Sequence, residues 1–258
     1  MKIEKIQKLK NNKYKIKLDS GDIINTYDDV ILNNSLLFNK EIDLELLNKI
    51  NNETLYYDCY NKTLKFIDKK LRSEKEIKEY LKKYSEMGYE DKILKKLKEI
   101  NMINDENYAK AYISDRIFLS TDGPNKIKQE LFNYGIDEKI IEENINKIDK
   151  ETIYNKCKKI IDKKIKSNTK YSNYMLNQKI ISDLVNKGYD MALIKQILEN
   201  EVFDNNLVIE KEFKKIHNKL SKKFDGSELY YNLNLKNKLY QKGFTKEEIE
   251  EYIKTVDS

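Results

Sequence analysis

The chain reads as a mainly α-helical protein: about four tandem three-helix repeats in an elongated array, preceded by a small N-terminal antiparallel β-containing module. Three observations predict this. A helix–glycine–helix phrase occurs around Gly88, Gly135, Gly188 and Gly243. The composition is too charged for one large core. Residues 1–58 alternate apolar and polar side chains with period two, whereas the rest follows the helical period.

The phrase is clearest from Lys128 to Asn144, KQELFNYGIDEKIIEEN. Four residues before each glycine stands Tyr84, Leu131, Leu184 or Leu239, and just after it Tyr89, Ile136, Tyr189 or Phe244. A glycine past a helix end takes the left-handed conformation, and its two apolar neighbours then pack together. Asp137, Asp190 and Thr245 follow as caps for the next helix, Thr245 with Glu248 as a capping box, while Glu90 is a poorer cap. Successive glycines are 47, 53 and 55 residues apart, the extra length falling in connections, as in repeat arrays.

Charged residues make up 36% of the 258 and mean hydropathy is −0.80, against about 25% charged in an ordinary domain. Small stacked units need only thin local cores, and the 19 tyrosines add bulk that keeps a wet hydroxyl. The net charge of +6 admits an acidic partner, but Lys, Asn, Ile and Tyr dominate throughout, so basicity alone identifies none. Cys59 and Cys157 have no paired spacing and read as free buried thiols in a reducing compartment. No signal peptide, lipidation motif or long apolar run occurs, which predicts a soluble cytoplasmic protein without membrane contact.

In chain order, Ile3–Leu9 and Tyr14–Leu18, with a turn at Asp19–Asp22 before Ile23–Tyr27, read as a small antiparallel sheet of two or three strands. Val30–Phe38 and Leu44–Ile50 read as short helices covering one face, which closes the module at residues 1–58. The first triplet spans 59–103. Its first helix carries Leu64, Ile67 and Leu71 on one stripe and Lys62, Lys65, Lys69 and Arg72 on another. Ser73–Glu76 is a capping box opening a second helix that runs to Gly88, and a third covers Asp91–Ile100. The second triplet, 104–150, has Asn104-Asp105 capping Glu106–Phe118 and Gly123-Pro124 opening its middle helix. The third, 151–203, repeats the basic stripe with Lys156, Lys159, Lys163 and Lys166; its linker Ser167–Ser172 is polar and expected to be mobile. The fourth is 204–258, with Phe213, Ile216 and Leu220 on its first helix.

No catalytic, metal or cofactor constellation stands out, so the chain reads as a non-enzyme. His217 lies among Lys215 and Lys219 as a solvated surface residue, and phosphate-cradling loops, metal-ligand spacings and nucleophile elbows are missing. A helix–turn–helix that reads DNA fits poorly. The second and fourth would-be recognition helices, DEKIIEEN and TKEEIEEYI, are acidic where phosphates would lie. The basic stripes are either solvated lysine faces or contacts for an acidic partner. Arg72 and Arg116 are the only arginines, each at the end of a first helix, and guanidinium offers a two-pronged hydrogen bond that ammonium lacks. They are candidate partner contacts, with an anchor inside the repeat as the alternative. Tyr108 and Tyr112 read as core.

Three segments in order resemble the RecX regulators of bacterial recombination. They are Leu71–Ile77 (LRSEKEI), Asn104–Tyr112 (NDENYAKAY) and Gly123–Leu131 (GPNKIKQEL), followed by Gly135-Ile136. The third triplet matches through Asn186–Tyr189, and the N-terminal sheet and fourth triplet depart from the compact family form. The resemblance implies tandem three-helix repeats and binding in the groove of the RecA filament on single-stranded DNA. It implies restraint of filament growth, ATP hydrolysis and strand exchange. A monomer with weak direct DNA contact and no cofactor is expected. The alternative is a helical nucleic-acid-binding protein that acts without RecA; a general helical scaffold is a third reading.

Overall fold

The computed structural model describes residues 1–222 and 227–257. Strands β1 (Ile3–Lys8), β2 (Lys13–Leu18) and β3 (Ile23–Tyr27) form an antiparallel sheet in that order. Ile16 pairs with both Ile6 and Ile24, so the alternation buries Ile16, Leu18, Ile24 and Thr26 on one face. The turn between β1 and β2 places Asn11 and Asn12 at positive φ, which asparagine tolerates and tight hairpins require.

Helix α1 (Asp28–Asn33) is followed by α2 (Leu44–Ile67). The short helix expected at 44–50 is thus the start of a 24-residue helix, and the expected boundary between 58 and 59 falls inside it. Asp43 caps it at Leu46 N–H (2.7 Å), and no glycine or proline interrupts it. Its middle carries Tyr56, Tyr57, Cys59 and Tyr60, buried in one core with the sheet and with helices α3 (Glu74–Leu81) and α4 (Glu90–Glu99). Sheet and first triplet therefore share a core. The expected run of α3 to Gly88 stops at Leu81, and Lys82–Met87 is a tighter 3₁₀ turn. Tyr84 leaves helical backbone there (φ −122°, ψ 17°), and its ring lies edge-on to Tyr80 at 5.8 Å.

The remaining helices are α5 (Asp105–Leu119), α6 (Pro124–Asn133), α7 (Glu138–Ile145), α8 (Lys150–Lys166), α9 (Asn173–Asn186), α10 (Met191–Leu198), α11 (Asn206–Leu220), α12 (Glu228–Gln241) and α13 (Lys246–Asp257). The predicted caps are in place: the Ser73–Glu76 box, Asp137, Asp190 and the Thr245–Glu248 box. Two compact units result, Met1–Tyr108 with Tyr134–Ile136, and Ala109–Asn133 with Asp137–Ser258. The third triplet encloses Cys157, Ile161, Ile180, Leu184, Tyr189 and Ile194; the fourth encloses Val208, Ile216, Leu239 and Phe244.

One junction recurs between neighbouring triplets. The start of a middle helix donates to backbone carbonyls at the next triplet's glycine turn. Ser73 Oγ bonds Tyr134 O (2.8 Å), Gly123 N–H bonds Lys187 O (2.6 Å), Asn125 N–H bonds Gly188 O (3.0 Å), and Ser172 Oγ bonds Lys242 O (2.9 Å). Gly188 shows why glycine stands there. Its φ is +85°, Tyr189 N–H reaches Leu184 O (3.0 Å) as a helix stop, and a Cβ would lie 2.6 Å from Lys126 Cβ.

The linker 167–172, expected to be mobile, is a built loop. Asn168 accepts from Lys170 and Tyr171 N–H (3.2 and 3.0 Å) and donates to Tyr171 O (2.7 Å). An asparagine that closes its own turn in this way gives a polar loop a defined backbone path.

Candidate functional site

Each basic stripe lies on a helix whose other face is fixed by core residues. On α2, Thr63 and Cys59 point inward, which turns Lys62 and Lys65 outward, and Lys69 follows just past the helix end. All three are exposed and have no carboxylate partner among the described residues; Lys62 Nζ sits 5.2 Å from the Tyr84 ring centre. On α8, Cys157 and Ile161 point inward, and Lys159, Lys163 and Lys166 are exposed, again without carboxylate partners. Six of the nine predicted side chains therefore offer open ammonium groups.

Arg72, Arg116 and Lys156 have internal partners instead. Arg72, with its side chain 15% exposed, reaches Glu76 Oε1 at 2.9 Å. Its guanidinium lies 3.9 Å from the centre of the Phe66 ring, which in turn stacks on Tyr80 at 4.2 Å. The arginine thus ties the end of α2 to α3. Arg116, 33% exposed, holds Glu130 in two-pronged fashion (Nη2 at 2.7 Å, Nε at 3.1 Å) and lies 3.3 Å from Asp122. Tyr112 Oη donates to the same Glu130 (2.6 Å), so α5 and α6 are clamped by a triad. Hydrogen bonding to Glu130 raises the Arg116 pKa further, and burial with the Glu130 bond pushes Tyr112 up to about 12. Lys156 turns from its stripe to donate to the carbonyls of Arg116 (3.0 Å) and Asp122 (2.9 Å), capping the end of α5. Burial lowers its pKa.

The anchors give a pH dependence. Burial raises the Asp122 carboxyl, but Lys126, Ser120 and Arg116 outweigh it and leave the pKa below 3.8. For Glu76 burial is likewise outweighed, by Ser73 N–H, Arg72 and Lys70, leaving it below 4.5. A carboxyl with a lowered folded pKa contributes stability that is complete above the unfolded value and disappears as pH falls through the folded one. Asp105, raised by burial, works in the opposite direction. The melting temperature is expected to fall as pH drops below about 4.5, and Asp122→Asn should flatten that fall; a melting series for both proteins with identical slopes would contradict it.

His217 is exposed as expected, with Nδ1 2.8 Å from Tyr231 Oη. Both cysteines are free and buried, and burial raises both thiols, Cys157 to about 11. Tyr108 is buried, whereas Tyr112 is half-buried at the arginine clamp. Among the described residues no group of His, Cys, Asp and Glu side chains could hold a metal ion, and no helix is long and apolar enough to cross a membrane. Two features escaped the sequence. Glu130 and Asp122 complete the arginine clamp, and Lys170 and Lys179 flank the Tyr171 ring at 5.5 and 4.6 Å. No spacing rule could find the second, because the Asn168 loop brings positions 170 and 179 together.

Repeated three-helix units, whose middle helices donate hydrogen bonds to carbonyls at the next unit's glycine turn, define a helical-repeat protein. Residues 104–143 match the second three-helix domain of RecX, and residues 151–198 match the third. The regulatory protein RecX of Streptococcus uberis is 31% identical over 266 residues, spanning 99% of this chain and 100% of that protein. That of Listeria monocytogenes serotype 4a (strain HCC23) is 31% identical over 261 residues, spanning 98% and 96%. A crystal structure of regulatory protein RecX superposes with a TM-score of 0.66 at 26% identity, covering 77% of this chain and 99% of its own. That of RecX from Lactobacillus salivarius gives 0.51 at 27%, covering 56% and 95%. The chain belongs to the RecX family of regulatory proteins. Two expectations change. The third triplet matches along most of its length rather than only at its glycine turn, and the N-terminal sheet and fourth triplet lie within the span shared with full-length relatives.

Proposed function

We propose that the chain binds the RecA recombinase filament on single-stranded DNA and inhibits its growth, ATP hydrolysis and strand exchange, without catalysing a reaction of its own. The single observation that supports this reading most is kinship with RecX proteins over essentially the whole chain. The open rows Lys62, Lys65, Lys69 and Lys159, Lys163, Lys166 are the proposed contacts. Arg72 and Lys156 serve them from behind, by anchoring the end of α2 and α8, while Arg116 clamps α5 to α6.

Each exposed ion pair contributes at most about 1 kcal/mol, so single lysine substitutions should be nearly silent. Replacing all three lysines of one row by glutamine should weaken co-sedimentation with RecA filaments about tenfold while leaving circular dichroism unchanged. Triple variants that co-sediment like the parent would remove the rows from the contact.

A further inference from the structure

The α8 row leads to a cavity of about 220 Å³ between the end of α8, the Asn168 loop and the start of α9. Lys164, Lys170 and Lys179 line it, together with Ser167, Thr169 and Tyr171. Asp183 holds Lys164 at 3.0 Å and also takes Lys187, so Lys164 is partly neutralised. Lys170 and Lys179 have no carboxylate partner among the described residues; both ammonium groups rest instead on the Tyr171 ring. A ring quadrupole orients cations without cancelling their charge. The loop is held by Asn168, so these cations stand on built backbone.

We propose that this cavity is a phosphate-binding pocket that takes the phosphodiester backbone of single-stranded nucleic acid. A pocket with two uncompensated ammonium groups and two hydroxyls suits a phosphate oxygen cluster. The exposed row Lys159, Lys163 and Lys166 leads away from it along α8, which favours a chain of phosphates over one small anion. The inference shares that row with the RecA reading but requires no RecA.

The test is fluorescence anisotropy of a labelled oligo-dT strand titrated with the full chain, RecA absent, across a salt series. The double variant Lys170→Gln/Lys179→Gln should weaken binding about tenfold and reduce the slope of log K against log salt by about 1.4, about 0.7 per lost phosphate contact. Circular dichroism checks folding; both lysines are exposed. A parent that does not bind, or a folded variant with the parent's affinity and slope, overturns the pocket. Displacement of the strand by inorganic pyrophosphate at equal phosphate concentration would assign it to small phosphates and overturn the nucleic-acid assignment. A parent that binds oligo-dT yet leaves RecA hydrolysis untouched would defeat the RecA reading and keep this one.

Discussion

Gly188→Ala is expected to destabilise the second unit by about 2–5 kcal/mol, from two causes that add. A side chain at φ +85° costs about 1–2 kcal/mol. The new methyl would also overlap the backbone nitrogen of Lys126 and lie 2.6 Å from its Cβ, and forcing packed groups apart costs about 1–3 kcal/mol. The glycines of the array separate these causes. Gly88 has φ +64° but open space where a Cβ would be, so Gly88→Ala should cost only about 1–2 kcal/mol. Gly123 lacks positive φ, yet a Cβ there would meet Gly188 C and O at 2.7 Å, so Gly123→Ala isolates the overlap. Denaturant unfolding of the three variants should rank Gly188 worst. Equal costs at Gly88 and Gly188 would mean the close approach of backbones contributes nothing.

Arg116→Ala should destabilise by about 2–3 kcal/mol, because it strips a two-pronged, charge-assisted contact from a partly sheltered site. Glu130 would keep only Tyr112 of the clamp, and Asp122, 9% exposed, would keep Lys126. The open Lys159 makes no such contact, so Lys159→Ala should stay within about 0.5 kcal/mol. Arg116→Lys should recover part of the loss through charge but not the two-pronged geometry. Thermal unfolding decides: an Arg116→Ala variant as stable as the parent, but defective in filament binding, would return the arginine to the partner surface.

Much of the fold was legible because its determinants are local. Caps, glycine stops and apolar periodicity act within one or two helical turns, so Ser73, Asp137, Asp190 and Thr245 could be placed from their neighbours alone. Misreadings arose where distant residues decide. The continuity of α2 depends on Tyr56, Tyr57 and Tyr60 being buried with the sheet and with α3 and α4, which the run of polar residues around them concealed. Likewise, the stripe Lys156, Lys159, Lys163, Lys166 looks uniform in sequence, yet carbonyls 40 and 34 residues away draw Lys156 inward. For the arginines the sequence left a partner contact and an internal anchor both open. Their chemistry announced a two-pronged contact, but only the packing of α5 on α6 shows that Glu130 receives it.

The proposed restraint of the RecA filament by this chain is read out by RecA-dependent ATP hydrolysis on single-stranded DNA. Adding the chain should lower the hydrolysis rate in a dose-dependent way. Glutamine substitution of Lys62, Lys65 and Lys69, or of Lys159, Lys163 and Lys166, should shift the required dose upward about tenfold with folding intact. A hydrolysis rate that stays constant across the titration, with folded parent protein present in excess over RecA, would contradict it.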